Sequence, residues 1–202
     1  MKFYQGFNFA EYLYSYAKTV IWYKLFLKKC GKKCVIYKPI FLSPEYMCLG
    51  NNVYIRNNAR IECVIIGDDI NIIIQDHVNI EQNVHMTCGN RIFIGKNTAI
   101  AANVSITDIK HTYEDVGISP KIQPLKASEV IIEQDCTIYN NSVILPGTIL
   151  GKHSIVAANS VVIGKKYPEY SVLAGNPAVI VKRYSFEKNM WLKTNEKGDF
   201  IN

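Results

Sequence analysis

A histidine stands where the most regular pattern of this chain breaks. His111 lies in the stretch VSITDIKHTYEDVG, from Val104 to Gly117, and aliphatic residues recur at every sixth position on both sides of it. A neutral imidazole can take a proton from a hydroxyl group near neutral pH, which makes histidine the most common general base in enzymes. His111 is therefore the first candidate for a catalytic residue. The alternative is an exposed loop histidine without a chemical role.

Polar side chains close to His111 could support such chemistry. Asp108 could orient the imidazole, or it could close an Asx-type turn at the entrance of a loop. Tyr113, Glu114 and Asp115 are near enough in sequence to line a pocket for an acceptor molecule, or they form a solvated loop face. Both interpretations stay open for each of these residues.

The elements that must position His111 come from a repeat with a period of six residues. Aliphatic residues or methionine occupy every sixth position in four runs. These positions are Leu49, Ile55 and Ile61, then Ile74, Ile80 and Met86, then Ile94, Ile100 and Ile106, and then Ile132, Ile138, Ile144, Leu150, Val156 and Val162. The period matches neither the turn of an α-helix nor the alternation of a hairpin. It predicts a parallel solenoid in which each coil contains three short strands.

The same pattern predicts the corners of the coils and a loop that carries His111. Glycine and asparagine tolerate the backbone conformations of tight corners, and they cluster between the aliphatic positions. The candidate corner residues are Gly50, Asn51, Asn57, Asn58, Gly67, Asn83, Gly95, Asn97, Asn140, Asn141 and Gly151. We count five coils, with register slips near 62–73 and 87–93 and one large interruption over 107–129. A long excursion from the corner of a rigid solenoid often carries function.

Positive charge is concentrated near the N-terminus. The first forty residues hold eight lysines and one glutamate, whereas the whole chain has a net charge of +6. Apolar residues at spacings of three and four predict an amphipathic helix there. They are Phe9, Leu13, Tyr16, Val20, Tyr23 and Leu27. Glu11, Lys18 and Lys24 interrupt the helix too often for a transmembrane span. It could cap the solenoid or pack in an oligomer, or it could contact an anionic membrane surface or a lipid-linked substrate.

The composition points to one packed domain with an appendage. The chain has 202 residues, of which 49% are hydrophobic and 20% are charged. Six cysteines are scattered without CxxC pairs, and no signal peptide is visible. We therefore expect buried, reduced thiols in a cytoplasmic protein. Peripheral contact of the protein with the inner face of the membrane stays open. Basic charge without a recognised binding module argues against a nucleic-acid partner. We divide the chain into a basic aromatic helical segment 1–45, a solenoid domain 46–183 with its loop at 107–129, and a tail 184–202.

Three stretches resemble the hexapeptide-repeat acyltransferases, whose fold is a left-handed parallel β-helix. They are SVILPGTILGKHSIVAANSVV from Ser142 to Val162, YSVLAGNPAVIVKRY from Tyr170 to Tyr184, and ITDIKHTYED from Ile106 to Asp115. The resemblance covers about residues 49 to 191. It is greatest to the acetyl-CoA-dependent O-acetyltransferases of lipopolysaccharide and capsule biosynthesis, which are related to the galactoside and maltose O-acetyltransferases. The expected fold is thus an all-β solenoid, and its left-handed turn is implied by the resemblance rather than by the spacing.

The resemblance also implies a site. His111 takes the position of the catalytic base, acetyl-CoA is the co-substrate, and no metal is expected. The positions that match cofactor contacts in the family are Asn140, Ala158, Lys165, Lys166 and Lys182. Lysines would neutralise the phosphates of coenzyme A, and small corner residues would leave room for its pantetheine arm. Family members are homotrimers with active sites between subunits, so His85 could face the cleft of a neighbouring subunit or be an exposed corner residue.

The expected reaction is acetyl transfer to a sugar hydroxyl of a surface polysaccharide or its precursor, without a covalent enzyme intermediate. Two alternatives remain: an N-acetyltransferase that acts on an amino sugar nucleotide, and a non-catalytic solenoid scaffold. A zinc carbonic anhydrase on the same fold would need three converging histidines, and the spacing of His77, His85 and His111 does not match that pattern. Amine and hydroxyl acceptors separate the two transferases, and coenzyme A binding separates both from the scaffold.

Overall fold

Three parallel β-sheets surround one column of aliphatic side chains. They are seen in a computed structural model that describes residues 2–65 and 71–201. The predicted corner residue Gly67 and the chain ends Met1 and Asn202 lie outside the described residues. Within the described ranges, each coil contributes one strand to each sheet in turn, so that neighbouring strands of a sheet come from successive coils.

The strands are numbered along the chain. The first sheet contains β1 (Lys29–Cys30), β4 (Met47–Leu49), β7 (Asn71–Ile74), β10 (Arg91–Ile94), β15 (Val130–Ile132), β18 (Ile149–Leu150) and β21 (Lys166–Tyr167). The second sheet contains β2 (Val35–Ile36), β5 (Tyr54–Ile55), β8 (Asn79–Ile80), β11 (Ala99–Ile100), β16 (Thr137–Ile138), β19 (Ile155–Val156) and β22 (Ser171–Gly175), followed by the antiparallel strands β23 (Ala178–Ser185) and β24 (Met190–Lys193). The third sheet contains β3 (Phe41–Leu42), β6 (Arg60–Cys63), β9 (His85–Cys88), β12 (Ser105–Thr107), β17 (Val143–Ile144) and β20 (Val161–Val162).

The described residues form six complete coils, one more than the five counted from the sequence. The additional coil is the first one, β1 to β3, which lies within the segment 1–45 that the sequence analysis assigned to the N-terminal appendage. Its inward residues Cys30, Ile36 and Leu42 keep the spacing of six, but a cysteine takes the first position and the chain slips before Met47. A partial seventh coil, β21 and β22, ends in the β22–β24 meander.

The predicted aliphatic period is the core of the molecule. Every aliphatic or methionine position of the four runs is at most 1% exposed. Parallel register places each inward side chain between its counterparts in the adjacent coils, as Ile100 lies between Ile80 and Ile138. Full burial of such a side chain contributes about 1.5 to 3 kcal/mol. The prediction that successive sixth residues build one continuous column is thereby confirmed.

One corner column is an asparagine ladder. Asn83, Asn103, Asn141 and Asn159 occupy equivalent positions between the second and third sheets, with φ between 58° and 62°. Each side-chain Nδ2 donates to Oδ1 of the next asparagine, at 2.9, 3.0 and 3.1 Å along the column. Asparagine is favoured here because its short amide tolerates the left-handed conformation and bonds from coil to coil.

Glycines at another corner meet a different requirement. Gly95 and Gly151 were predicted as corner residues for their tolerance of positive φ, but neither is among the positive-φ glycines. A Cβ at Gly95 would stand 2.4 Å from the backbone N of Gln134, and one at Gly151 would stand 2.5 Å from the backbone N of Glu169. Close approach of the next coil therefore selects glycine at these two positions.

The N-terminal segment forms the predicted helix and lies across the first coil. Helix α1 (Lys2–Lys18) continues through one π-helical turn (Thr19–Tyr23) into the short α2 (Lys24–Phe26). Thr19 Oγ1 donates to the carbonyl of Ser15 at 2.7 Å and accepts from the backbone N–H of Ile36 on edge strand β2 at 2.8 Å. Within the described residues, no helix is long and apolar enough to cross a membrane.

The six cysteines are free thiols in the structure. Cys34, Cys88 and Cys136 are buried, and Cys30, Cys48 and Cys63 are half-buried. Burial raises the pKa of the Cys136 thiol to about 12. Such a thiol stays protonated and packs as a small apolar side chain.

The ladder leads to a stability prediction. Asn103→Ala should lower the free energy of unfolding by about 2 kcal/mol, because alanine loses two amide hydrogen bonds and is strained at positive φ. Asn103→Gly should lower it by only about 1 kcal/mol, because glycine keeps the backbone conformation and loses the ladder alone. Urea unfolding followed by circular dichroism measures both. An alanine variant as stable as the wild type would show that the ladder contributes nothing.

Candidate active site

The loop that interrupts the repeat after β12 starts with one strand and ends with another. These two strands pair with each other in a hairpin outside the three sheets of the coil. Strands β13 (Ile109–His111) and β14 (Leu125–Ala127) pair in antiparallel fashion, with His111 opposite Leu125. A 3-10 turn, Pro120–Ile122, lies between the two strands. His111 is the last residue of β13, and its side chain is exposed. The imidazole is therefore accessible to a molecule that approaches from outside the coil.

Asp108 fixes the root of this hairpin. The residue is fully buried, and its Oδ1 accepts from the backbone N–H of Gly89 at 2.6 Å. Its Oδ2 accepts from the backbone N–H groups of Asn90 and Arg91 at 2.8 and 2.7 Å. These donors lie at the corner of the preceding coil, so the contacts match neither an imidazole-orienting role nor a local Asx turn. Asp108 instead ties the start of the hairpin to the coil below.

The interior of the loop is ordered by two buried polar side chains. Thr112 donates from both its backbone N and its Oγ1 to the carbonyl of Pro124, at 3.1 and 2.9 Å. Gln123 Nε2 donates to the carbonyls of Ile118 and Asp115, at 2.8 and 3.1 Å. Sequence reasoning missed Thr112 and Gln123, because a single threonine or glutamine in a loop carries no spacing signal.

The residues predicted to line an acceptor pocket have different surroundings. Tyr113 is 70% exposed, and Asp115 is also exposed. Glu114 has its Oε1 3.5 Å from Lys126 Nζ, and a hydrogen bond from the backbone N–H of Tyr113 lowers the pKa of its carboxyl group. Tyr113 and Asp115 are thus open to a ligand, whereas Glu114 already has partners within the hairpin.

His85 lies on the outer face of the third sheet, on the strand next to β12. Its Nε2 is 3.7 Å from Glu62 Oε1 and 3.3 Å from Thr87 Oγ1. Hydrogen bonding from the Arg60 guanidinium lowers the pKa of Glu62, so this carboxylate stays ionised beside the imidazole. His85 is exposed and therefore available to a neighbouring molecule.

Two of the predicted cofactor positions share a corner. Asn140 and Ala158 occupy successive coils between the second and third sheets, and the backbone N–H of Asn159 donates to the carbonyl of Asn140 at 3.0 Å. Both side chains are exposed. A shallow groove of about 270 Å³ lies beside Asn140, with Tyr139 and Ala101 in its wall.

The predicted lysines lie elsewhere. Lys165 and Lys166 follow β20 at the corner between the third and first sheets, and Lys182 lies on β23. That corner also holds the root of the hairpin, because Ser128 N donates to the carbonyl of Asp108 and Gly147 N donates to the carbonyl of Ser128. The chain thus keeps the two lysines on the same edge as the loop and keeps Asn140 on another edge.

The arrangement offers an exposed imidazole at a loop root and exposed lysine cations on the same edge of the coil. An imidazole can move a proton, and lysines can hold phosphate groups. Among residues 2–65 and 71–201, no cluster of histidine, cysteine, aspartate or glutamate is large enough to hold a metal ion.

A family model described as bacterial transferase hexapeptide, six repeats, matches residues 129–164. These residues include strands β15 to β20, the coils that directly follow the hairpin. This part of the chain carries the hexapeptide repeat that the family model describes. The resemblance drawn from the sequence is confirmed, and the matched segment contains Asn140 and Ala158.

A curated relative matches a longer part of the chain. Over 129 residues the chain is 40% identical to WbbJ of Escherichia coli, a putative lipopolysaccharide biosynthesis O-acetyl transferase. The match covers 60% of this chain and 65% of that relative, slightly less than two thirds of its length.

Solved structures support the fold. AntD, an N-acyltransferase from Bacillus cereus in complex with dTDP and 3-hydroxybutyryl-CoA, aligns with a TM-score of 0.70 at 17% identity, over 86% of this chain and 92% of AntD. The hexapeptide-repeat acetyltransferase VCA0836 from Vibrio cholerae aligns with a TM-score of 0.61 at 23% identity, over 84% and 81% of the two chains. Together with the parallel sheets, these likenesses fit a left-handed β-helix.

The Asp108 contacts lead to a prediction about the loop root. Asp108→Asn should lower the free energy of unfolding by about 2 kcal/mol, because the amide loses the charge that strengthens three short hydrogen bonds. The backbone amides of Gly89, Asn90 and Arg91 should then exchange faster in hydrogen exchange measured by NMR. The exposed Asp115→Asn is the matched control and should change neither quantity. Unchanged protection of the three amides in Asp108→Asn would contradict the anchoring role.

Proposed function

We propose that the protein is an acetyl-CoA-dependent O-acetyltransferase that modifies a sugar hydroxyl of a surface polysaccharide or its precursor. The observation that carries this proposal is the 40% identity to the putative lipopolysaccharide O-acetyl transferase WbbJ. The exposed His111 at the end of strand β13 supplies a general base for such a reaction. The reaction takes place in the cytoplasm, on an acceptor that is free, nucleotide-linked or lipid-linked.

The proposed reaction is a direct transfer. The His111 imidazole removes the proton from the acceptor hydroxyl while the oxygen attacks the thioester carbonyl carbon. The new C–O bond gives a tetrahedral oxyanion, which a backbone N–H group stabilises. The C–S bond then breaks, and the leaving thiolate takes the proton from the imidazolium. The products are an acetyl ester and coenzyme A, and His111 is neutral again.

Positive charge along one edge of the coil supports coenzyme A binding. Lys165 and Lys166 are exposed on the edge that holds the hairpin root, where they can neutralise the phosphates of the cofactor. AntD is described in complex with an acyl-CoA, which supports an acyl-CoA site on this fold. In our proposal Lys182 on β23 and the exposed corner at Asn140 and Ala158 complete the cofactor site.

A homotrimer is part of the proposal, because one protomer does not unite these parts. His111 and Asn140 lie on different edges of the coil, with the third sheet between them. A second copy beside the first would bring the hairpin of one protomer towards the corner of the other. The hairpin also exposes apolar side chains that such a contact could bury, namely Tyr113, Val116 and Ile122. His85 would then face the shared cleft.

A second candidate is N-acylation of an amino sugar nucleotide. It is favoured by the likeness to AntD, an N-acyltransferase described with dTDP. At 17% identity that likeness concerns the fold, whereas the WbbJ match concerns the sequence. Parallel assays with hydroxyl and amino sugars, each as free sugar and as nucleotide sugar, distinguish the two reactions. A non-catalytic scaffold would neither bind coenzyme A nor release its thiol.

The general-base role leads to a prediction about activity. His111→Asn should reduce acetyl transfer at least about 100-fold, because no side chain then removes the hydroxyl proton. The dissociation constant for coenzyme A, measured by calorimetry, should stay unchanged. His77→Asn is the matched control, because His77 is an exposed corner histidine at φ 60° where asparagine is well tolerated. A fully active His111→Asn variant would contradict the general-base role of His111.

The lysine edge leads to a prediction about affinity. The double variant Lys165→Gln, Lys166→Gln should weaken coenzyme A binding about fivefold, because two exposed charges near phosphate are lost. The difference should shrink at high salt, and it should be smaller for dephospho-coenzyme A if the lysines contact the 3′-phosphate. Lys188→Gln, on the exposed turn between β23 and β24, serves as the control. Equal affinity of variant and wild type for coenzyme A at low salt would show that the two lysines are not part of the cofactor site.

A further inference from the structure

The N-terminal helix packs against the coil with its small hydroxyl residues rather than with its large apolar ones. Ser15 is 0% and Thr19 is 1% exposed, both on the face that meets the first coil. The apolar residues whose spacing predicted an amphipathic helix are divided between the two faces. Tyr16, Tyr23 and Leu27 turn inward, whereas Phe9, Leu13 and Val20 remain exposed. The apolar spacing therefore does not mark one buried face of the helix, because the coil end accepts a close approach of small side chains.

From Phe9 to Phe26 the outward face of the helix carries exposed apolar side chains. We call it the apolar face, formed by Phe9, Leu13, Tyr14, Ala17, Val20, Ile21, Trp22, Leu25 and Phe26, all of them exposed. Trp22 and Phe26 contact each other with ring centroids 5.3 Å apart. Lys18 does not interrupt the face, because it is half-buried and its Nζ donates to the carbonyl of Tyr37. A contiguous apolar surface of this kind marks an interaction site.

Lysines border the apolar face. Lys24, Lys32 and Lys33 line a groove of about 310 Å³ between the helix and the first coil. Val20 of the apolar face and Tyr16 form the helix side of the same groove. A cationic groove beside exposed aliphatic and aromatic side chains matches the surface of a bilayer, where phosphate headgroups lie next to acyl chains.

The charge pattern decides between a bilayer and a second copy of the chain. A symmetric dimer through the apolar face would bring this lysine groove towards its own copy, so that like charges would oppose association. The first forty residues carry eight lysines against one glutamate, which increases that repulsion. An anionic lipid surface instead complements both the apolar side chains and the lysines.

The position of the helix suits this partner. Through Thr19 it bonds to Ile36 on an edge strand of the first coil, so the helix lies across one end of the solenoid. The hairpin with His111 leaves the coil after β12, three coils further along. A bilayer against the helix would therefore leave the candidate active site uncovered.

We propose that the apolar face and its lysine groove dock the protein on an anionic membrane, with the helix in the plane of the headgroups. Nothing in this proposal depends on the identity of the transferred group. It adds a membrane surface to the cytoplasmic reaction proposed above.

Tryptophan fluorescence tests the docking directly. The chain contains two tryptophans, so in a Trp191→Phe background Trp22 is the single reporter. Vesicles of phosphatidylcholine and phosphatidylglycerol in equal parts should shift the Trp22 emission to shorter wavelength. The protein should also sediment together with these vesicles. Vesicles of phosphatidylcholine alone should bind at least about tenfold more weakly, because the lysines gain nothing from a neutral surface. No shift and no sedimentation with the anionic vesicles would overturn the proposal.

Variants on the exposed face separate docking from folding. Ile21→Ser should weaken anionic vesicle binding about tenfold, whereas Ile201→Ser, a substitution at another exposed isoleucine near the C-terminus, should not change it. Lys24→Gln with Lys32→Gln should weaken binding and reduce its salt dependence. Unchanged circular dichroism shows that the variants are folded. If Ile21→Ser instead lowers the oligomer mass in sedimentation velocity and leaves vesicle binding unchanged, the apolar face is an interface between copies and the proposal is wrong.

Discussion

Stacking of identical inward positions from coil to coil is the constraint on which the rest of the structure depends. Strands of two to four residues cannot bury a core by themselves, and each is stable only because its neighbours in the same sheet continue the aliphatic column. The column must stay in register, since a slip by one residue would turn the inward side chains to solvent. The asparagine ladder and the close-packed glycines act at the corners, where a slip would begin. The hairpin and the exposed side chains of the candidate site consequently lie on the outside of the coil, where they do not disturb this register.

The sequence predicted this core well because its signal is local and repeated. A period of six is visible without knowledge of any contact, and all the positions it selected are buried. The first coil was not predicted, because Cys30 replaces an aliphatic residue and the spacing changes before Met47. The glycines were selected correctly as corner residues but for an incomplete reason, because a close approach between coils involves residues far apart in sequence, such as Gly95 and Gln134.

The candidate site was less predictable, for physical reasons that differ from residue to residue. His111 could be singled out because it breaks a regular pattern. The role of Asp108 could not, because its backbone donors lie at the turn from β9 to β10, 17 to 19 residues earlier, and only the fold brings them to the carboxylate. The separation of Asn140 from the lysines follows from the corner on which each lies, and sequence spacing does not record which corner that is. The inward face of the N-terminal helix could not be predicted for a similar reason, since the apolar spacing includes Val20 and not Thr19, whereas the coil end packs against the smaller Thr19.

The two ends of the solenoid have a consequence for self-assembly. A stack of parallel strands presents unpaired backbone groups at both ends, and such edges can add further strands from other chains. At one end the helix lies over the first coil, and Thr19 accepts the N–H of Ile36 that would otherwise face outward. At the other end the chain reverses direction, and β23 and β24 extend the second sheet with antiparallel strands that do not continue the three-sided winding. Both closures interrupt the pattern that would let one molecule extend the next, so the fold limits end-to-end growth into fibres.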